Sequence, residues 1–127
     1  MKLLLDTHIF LWYISGDKKL AESTKDAISN SANDVYLSVV SLWEAVIKYR
    51  LGKLPLPQAP ETYLPEQRKR HRISSLSLDE ASVKPLALLP SLHRDPFDRM
   101  LICQANNHNL TLVTVDPAIR VYSVSVL

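Results

Sequence analysis

Leu3-Leu4-Leu5-Asp6 and Leu110-Thr111-Leu112-Val113-Thr114-Val115-Asp116-Pro117 decide the fold. Each is a short apolar run that an acidic residue cuts off. Runs this short, ending this abruptly, read as buried strands. Between them, Thr7 to Ile14 reads as a short apolar helix closed by Ser15-Gly16-Asp17, and Ala21 to Ser31 as a second helix. The β-branched and aromatic stretch Val35 to Val39 predicts another strand. Ser41 to Leu51 has helical spacing, with Lys48 and Arg50 near its end and Gly52 as a stop signal. Leu54 to Pro60 carries three prolines and reads as a loop. Further helices are expected over Glu61 to His71, with Pro65 limiting the start, and over Asp79 to Leu89, broken by Pro85. A short strand is expected at Ile73 to Leu76. Asp95-Pro96 is a helix start, with Asp as cap and Pro in the first turn, and the helix runs from Phe97 to about Asn107. A last strand is expected over Val121 to Val126. Alternating strands and helices call for an α/β fold, a parallel sheet with helices on both faces. Ligands of such sheets bind outside the carboxyl ends of the strands.

Composition narrows the function. The 127 residues are 46% hydrophobic, enough for one ordinary globular core. The single cysteine, Cys103, excludes an internal disulfide framework and any multi-cysteine zinc site. With only Gly16 and Gly52, neither a dinucleotide-binding G-x-G-x-x-G loop nor a P-loop can form. No apolar run approaches the ~20 residues of a membrane span. The run at Leu3 to Leu5 is also too short for a signal peptide, so a cytoplasmic protein is expected. A formal charge of +2 gives little bulk attraction for nucleic acid, which leaves a local patch as the means of binding it.

The acids carry the chemistry. Asp6 and Asp116 each follow a strand directly, at the carboxyl edge of the expected sheet. Glu44 and Asp98 are expected in the first turns of helices that start from that same edge. Each has a bland reading: Asp6 and Asp116 as helix caps, Ser41-x-x-Glu44 and Asp95-x-x-Asp98 as capping boxes. One cap per helix start does not account for four carboxylates converging on one edge. Close-set carboxylates repel and raise one another's pKa, and a divalent cation relieves this. Hard oxygen ligands suit Mg²⁺ or Mn²⁺. Such a cation lowers the pKa of a bound water and neutralises charge developing on a phosphodiester. No nucleophilic side chain is then required, and the chain has no G-x-S-x-G motif and no evident Cys–His pair.

Four segments carry a resemblance: Leu4-Leu5-Asp6-Thr7-His8, Leu37-Ser38-Val39-Val40-Ser41-Leu42-Trp43-Glu44, the run from His93 through Asp95-Pro96-Phe97-Asp98 to Ala105, and Leu112-Val113-Thr114-Val115-Asp116. In this order they resemble the PIN domain, and most of all the VapC-type toxins of bacterial type II toxin–antitoxin systems. The resemblance spans nearly the whole chain and implies a single PIN domain over residues 1–127. The fold it implies is a three-layer α/β/α sandwich with a central parallel sheet. The activity it implies is a Mg²⁺- or Mn²⁺-dependent endoribonuclease, with RNA as substrate. Asp6, Glu44 and Asp98 match the family's acidic triad and Asp116 its more variable fourth acid, so these four are the expected catalytic residues. The metal is assigned mainly to Asp6 and Asp98, and Asp95 to the cap. The resemblance further implies a homodimer and a cognate antitoxin that covers the active site.

Other residues are weaker candidates. The hydroxyls of Thr7, Ser41 and Thr114 neighbour the acids and could orient carboxylates or metal-bound water, or merely cap locally. Arg68, Lys69, Arg70 and Arg72 form the one dense basic run, read either as phosphate contacts or as a solvated helix face. Arg94 and Arg99 flank the acidic motif and could touch RNA or pair with the acids, Arg99 being the better fit to a structural pairing. His8 and His93 could act in acid–base catalysis, which hydrolysis by metal-activated water does not require. Trp12, Tyr13 and Trp43 read mainly as core, with one of them lining a groove for a partner helix as the lesser reading. Two other functions remain. A receiver-like phosphorylation module would want an acidic pair after the first strand and a Lys after the last, neither of which is present. A PIN fold that only binds a partner would not need all four acids.

Overall fold

The structure, a computed structural model, describes residues 1–127. Four parallel strands form the sheet: β1 (Lys2–Leu5), β2 (Asp34–Ser38), β3 (Ser74–Leu76) and β4 (Thr111–Val113), in the order β3-β2-β1-β4. Register pairs Leu4 with Tyr36 on one side and with Leu112 on the other, so β1 is central. Side chains of a strand alternate between faces, and two apolar clusters follow from this. Leu3 and Leu5 join Val35, Leu37 and Val113 on one face, where α1 (Thr7–Ser15), α2 (Glu22–Ser29) and α4 (Pro60–Arg70) supply Phe10, Ile28 and Leu64. Leu4 and Leu112 point the other way, into Leu101, Ile102 and Ala105 of α6 (Pro96–His108) and Ile119 of α7 (Pro117–Arg120). The helix α3 (Val39–Arg50) gives Ala45 to the first cluster and Val40 to the second. The result is the expected three-layer α/β/α sandwich.

Several expected elements move. The helix after β2 starts at Val39 rather than Ser41, because Ser38 itself caps it by accepting from Val40 N at 3.0 Å. Ser41 and Glu44 therefore lie inside the helix, Glu44 in its second turn, and the capping-box reading of that pair is wrong. The helix α4 runs through Pro65 instead of being limited by it. Pro85 does break the next helix, which becomes α5 (Glu80–Val83) followed by a 3₁₀ turn over Lys84–Leu88. The expected strand over Val121 to Val126 shrinks to one bridge between Val126 and Leu112, since Asp116-Pro117 starts a helix first. Gly16 ends α1 in the left-handed conformation at φ 67°, which a side chain would strain.

Candidate active site

Parallel strands bring Asp6 and Asp116 to one edge of the sheet, the edge from which α1, α3, α6 and α7 depart. Asp6 stands at the cap position of α1 but makes no capping bond. Its Oδ2 accepts instead from Thr114 Oγ1 at 2.7 Å, across the β1–β4 junction. The carboxyl is buried, and desolvation raises its pKa against the opposing pull of the Thr114 bond. Glu44 is 2% exposed. Thr7 Oγ1 donates to its Oε1 at 2.7 Å and lies 2.8 Å from Ser41 Oγ, while Lys48 Nζ binds its Oε2.

Asp95 takes the expected cap position, and Asp98 points elsewhere. Asp95 Oδ1 caps α6, accepting from Phe97 N at 2.9 Å and Asp98 N at 3.3 Å. Asp98 turns into the site, where its Oδ2 lies 2.8 Å from His93 Nε2. Burial pushes its pKa up to about 7, with Asp6 and Asp95 adding repulsion and the His93 bond opposing. Asp116 does two things at once. One oxygen caps α7 by accepting from Ala118 N at 2.9 Å, and the other lies 3.4 Å from His93 Nε2.

His93, Asp98 and Asp116 thus present ligand atoms within 4.8 Å of one another. Asp6 stands outside that group of three, although its charge is felt at Asp98. Two hard carboxylates with one imidazole, Asp98 among them buried and pushed toward the neutral form, are a donor set that suits a small divalent cation.

The profile of the PIN domain family matches residues 3–124. The chain belongs to the PIN domain family. A receiver-like module is thereby set aside. Over 58 residues this PIN domain is 41% identical to ribonuclease VapC16 of Mycobacterium tuberculosis, a stretch that covers 46% of this chain and 41% of that protein. The chain thus aligns with less than half the length of that curated relative. Ribonuclease VapC22 of the same organism is 25% identical over 118 residues, 93% of this chain and 89% of the relative. Among solved structures, VapBC2 from Rickettsia felis, bound to a DNA fragment from its promoter, superposes with a TM-score of 0.73. It covers all of this chain and 97% of the matched one, at 17% identity, a likeness of fold.

The remaining candidates fall apart in space. The run Arg68 to Arg72 lies at the end of α4 and just before β3, so it sits at the amino edge of the sheet, opposite the acids. Arg68 is partly occupied there, donating to Ile73 O at 2.9 Å. Arg99 turns away from the acids and binds Leu89 O and Ser91 Oγ. Arg94 is exposed, next to the cap Asp95. His8 is exposed and leans toward Trp12. Trp43 is not core: it is 55% exposed and packs edge-on against Phe97.

Two site residues escaped the sequence reading. His93 was weighed only as an acid–base group. It bridges two carboxylates because Tyr122 Oη accepts from Leu92 N and His93 N and donates to Pro90 O, fixing the loop that carries it. No local signal joins Tyr122 to a loop some thirty residues upstream. Lys48 was read as a helix-end cation, but its position four residues after Glu44 was the available signal.

Proposed function

We propose that this PIN domain is a divalent-cation-dependent endoribonuclease and acts as the toxin of a type II toxin–antitoxin pair. The observation that carries this reading is the convergence of Asp6, Glu44, Asp98 and Asp116 on one sheet edge. Two of them, Asp6 and Asp98, are buried with raised pKa. Asp6 and Asp98 would hold Mg²⁺ or Mn²⁺, with Asp116 beside them. Such an ion supplies a water of lowered pKa and positive charge facing the phosphodiester. The chain's own residues do the rest. Thr114 holds Asp6 in orientation, Thr7 holds Glu44, and His93 holds Asp98 and Asp116 together. The names of the mycobacterial relatives, both ribonucleases, support RNA as the substrate.

The VapC likeness implies two partners, a second copy of the chain and an antitoxin. A groove of about 370 Å³ between α1 and the 54–57 loop, lined by Leu11, Trp12, Leu56 and Tyr63 among others, offers an apolar bed for an antitoxin segment next to the site. An arginine at the end of such a segment could form bidentate bonds with the acids and replace the cation's charge. No helix of the chain is long and apolar enough to cross a membrane, which accords with action on cytoplasmic RNA.

Expression of the chain alone, and with its genomic neighbour, tests this reading. Wild type should arrest growth, Asp6→Asn should abolish the arrest, and the neighbour's product should copurify and relieve it. Harmless wild-type expression without a copurifying partner would instead favour a housekeeping PIN nuclease.

A further inference from the structure

The acids leave one cation in the site without an assigned duty. We infer that Lys48 contacts the phosphate of the RNA strand being cut, an inference that rests on the ribonuclease reading above. Its ammonium is held on Glu44 Oε2 at the edge where the carboxylates converge. Glu44 is itself fixed by Thr7, so the lysine is tethered to a rigid anchor rather than to a mobile surface acid. The Lys48 side chain stays one-third exposed, while that of Glu44 beneath it is buried. The charges of Asp95 and Asp98 also act on it, after the larger effects of its burial and of Glu44.

The other cations do not serve this purpose. Arg99 is turned onto Leu89 O and Ser91 Oγ, the Arg68 to Arg72 run lies at the far edge of the sheet, and His93 is spent between Asp98 and Asp116; Arg94, exposed beside the cap Asp95, lacks the buried anchor that Glu44 gives Lys48. A phosphodiester brought to four carboxylates meets repulsion. An ammonium facing the strand lowers that repulsion, and a preorganised one is worth most where charge develops on the phosphate oxygens. An i,i+4 ion pair with Glu44 supplies the preorganisation.

Salt dependence of RNA binding separates this duty from mere support of Glu44. Neutralising one phosphate on single-stranded RNA adds roughly 0.7 to the slope of log K against log salt. The purified chain and Lys48→Met would be titrated with a short single-stranded RNA in Ca²⁺ without Mg²⁺, the RNA being checked for integrity afterwards, and assayed for single-turnover cleavage in Mg²⁺. The expected result is a slope shallower by about 0.7 and cleavage at least tenfold slower, with an unchanged melting temperature for Glu44→Gln/Lys48→Met against Glu44→Gln alone. That neutral pair also serves if Lys48→Met leaves Glu44 unbalanced and fails to fold: the same slope difference should separate the double variant from Glu44→Gln. An unchanged slope in both comparisons would overturn the inference. Wild type that neither binds nor cuts RNA would overturn the ribonuclease reading itself.

Discussion

Asp95 and Asp98 stand three residues apart at the start of α6, and their surroundings give them different work. Asp95 satisfies two backbone amides that the helix leaves open, while Asp98 is buried against His93 and feels Asp6. Asn caps as well as Asp, so Asp95→Asn should keep nearly all RNA cleavage, and Asp95→Ala should cost about 1 kcal/mol of stability. Asp98→Asn should cut cleavage far more, since even residues behind metal ligands cost roughly 10–100-fold when lost. Rates of the three variants at equal protein concentration check the assignment. A reversed order would exchange the roles of Asp95 and Asp98.

At the scale of elements, one buried side chain ties the second face of the sheet to the site. Gln104, fully buried on α6, accepts from Ser38 Oγ at 2.6 Å and donates to Ser77 O at 3.3 Å. Ser38 in turn caps α3, the helix that carries Glu44. Gln104→Ala would orphan these groups and open a cavity, and denaturant melts should show a loss of about 2–4 kcal/mol. The sequence made the strands, α6 and its cap legible, because short apolar runs and Asp-Pro act locally. The start of α3 was displaced, because Ser38 and Ser41 are both plausible caps and only the tight exit from β2 selects the first. The tail after Asp116 misled for a similar reason. Its β-branched residues read as a strand, but the helix begun at Pro117 and the docking of Tyr122 on the 90–93 loop decide its course. Four acids at one edge were readable because strand ends can be read. The His93 bridge was not, since it depends on how the 90–93 loop is placed, while the Lys48 tether left only its spacing of four residues from Glu44 as a trace.

The whole molecule carries the burden of that edge as a linkage between proton binding, metal binding and folding. Asp98 is raised from 3.8 to about 7 and Asp6 is raised in the same direction, chiefly by burial. Around them stand the side chains of Glu44, Asp95 and Asp116, with Lys48 on Glu44 and His93 between Asp98 and Asp116. A carboxyl raised in the folded state binds its proton more tightly there than in the unfolded chain. Its stabilising contribution is therefore complete below pH 3.8 and is lost as pH rises through about 7. Without metal, these acids should make the fold more stable near pH 5 than near pH 8, and Asp98→Asn should flatten that dependence. A divalent cation competes with the protons for the same oxygens, so its stabilising effect should grow with pH. At 100 times its Kd it should add about 2.7 kcal/mol. Thermal melts at pH 5 and pH 8, in EDTA and in Mn²⁺, read all of this. The expected pattern is a higher Tm at pH 5 in EDTA and a Mn²⁺ shift that is large at pH 8 and small at pH 5. In Asp98→Asn that shift should disappear or shrink sharply. Equal shifts at both pH values, or a full shift in Asp98→Asn, would mean that the ion binds elsewhere and that the acids at this edge serve another purpose.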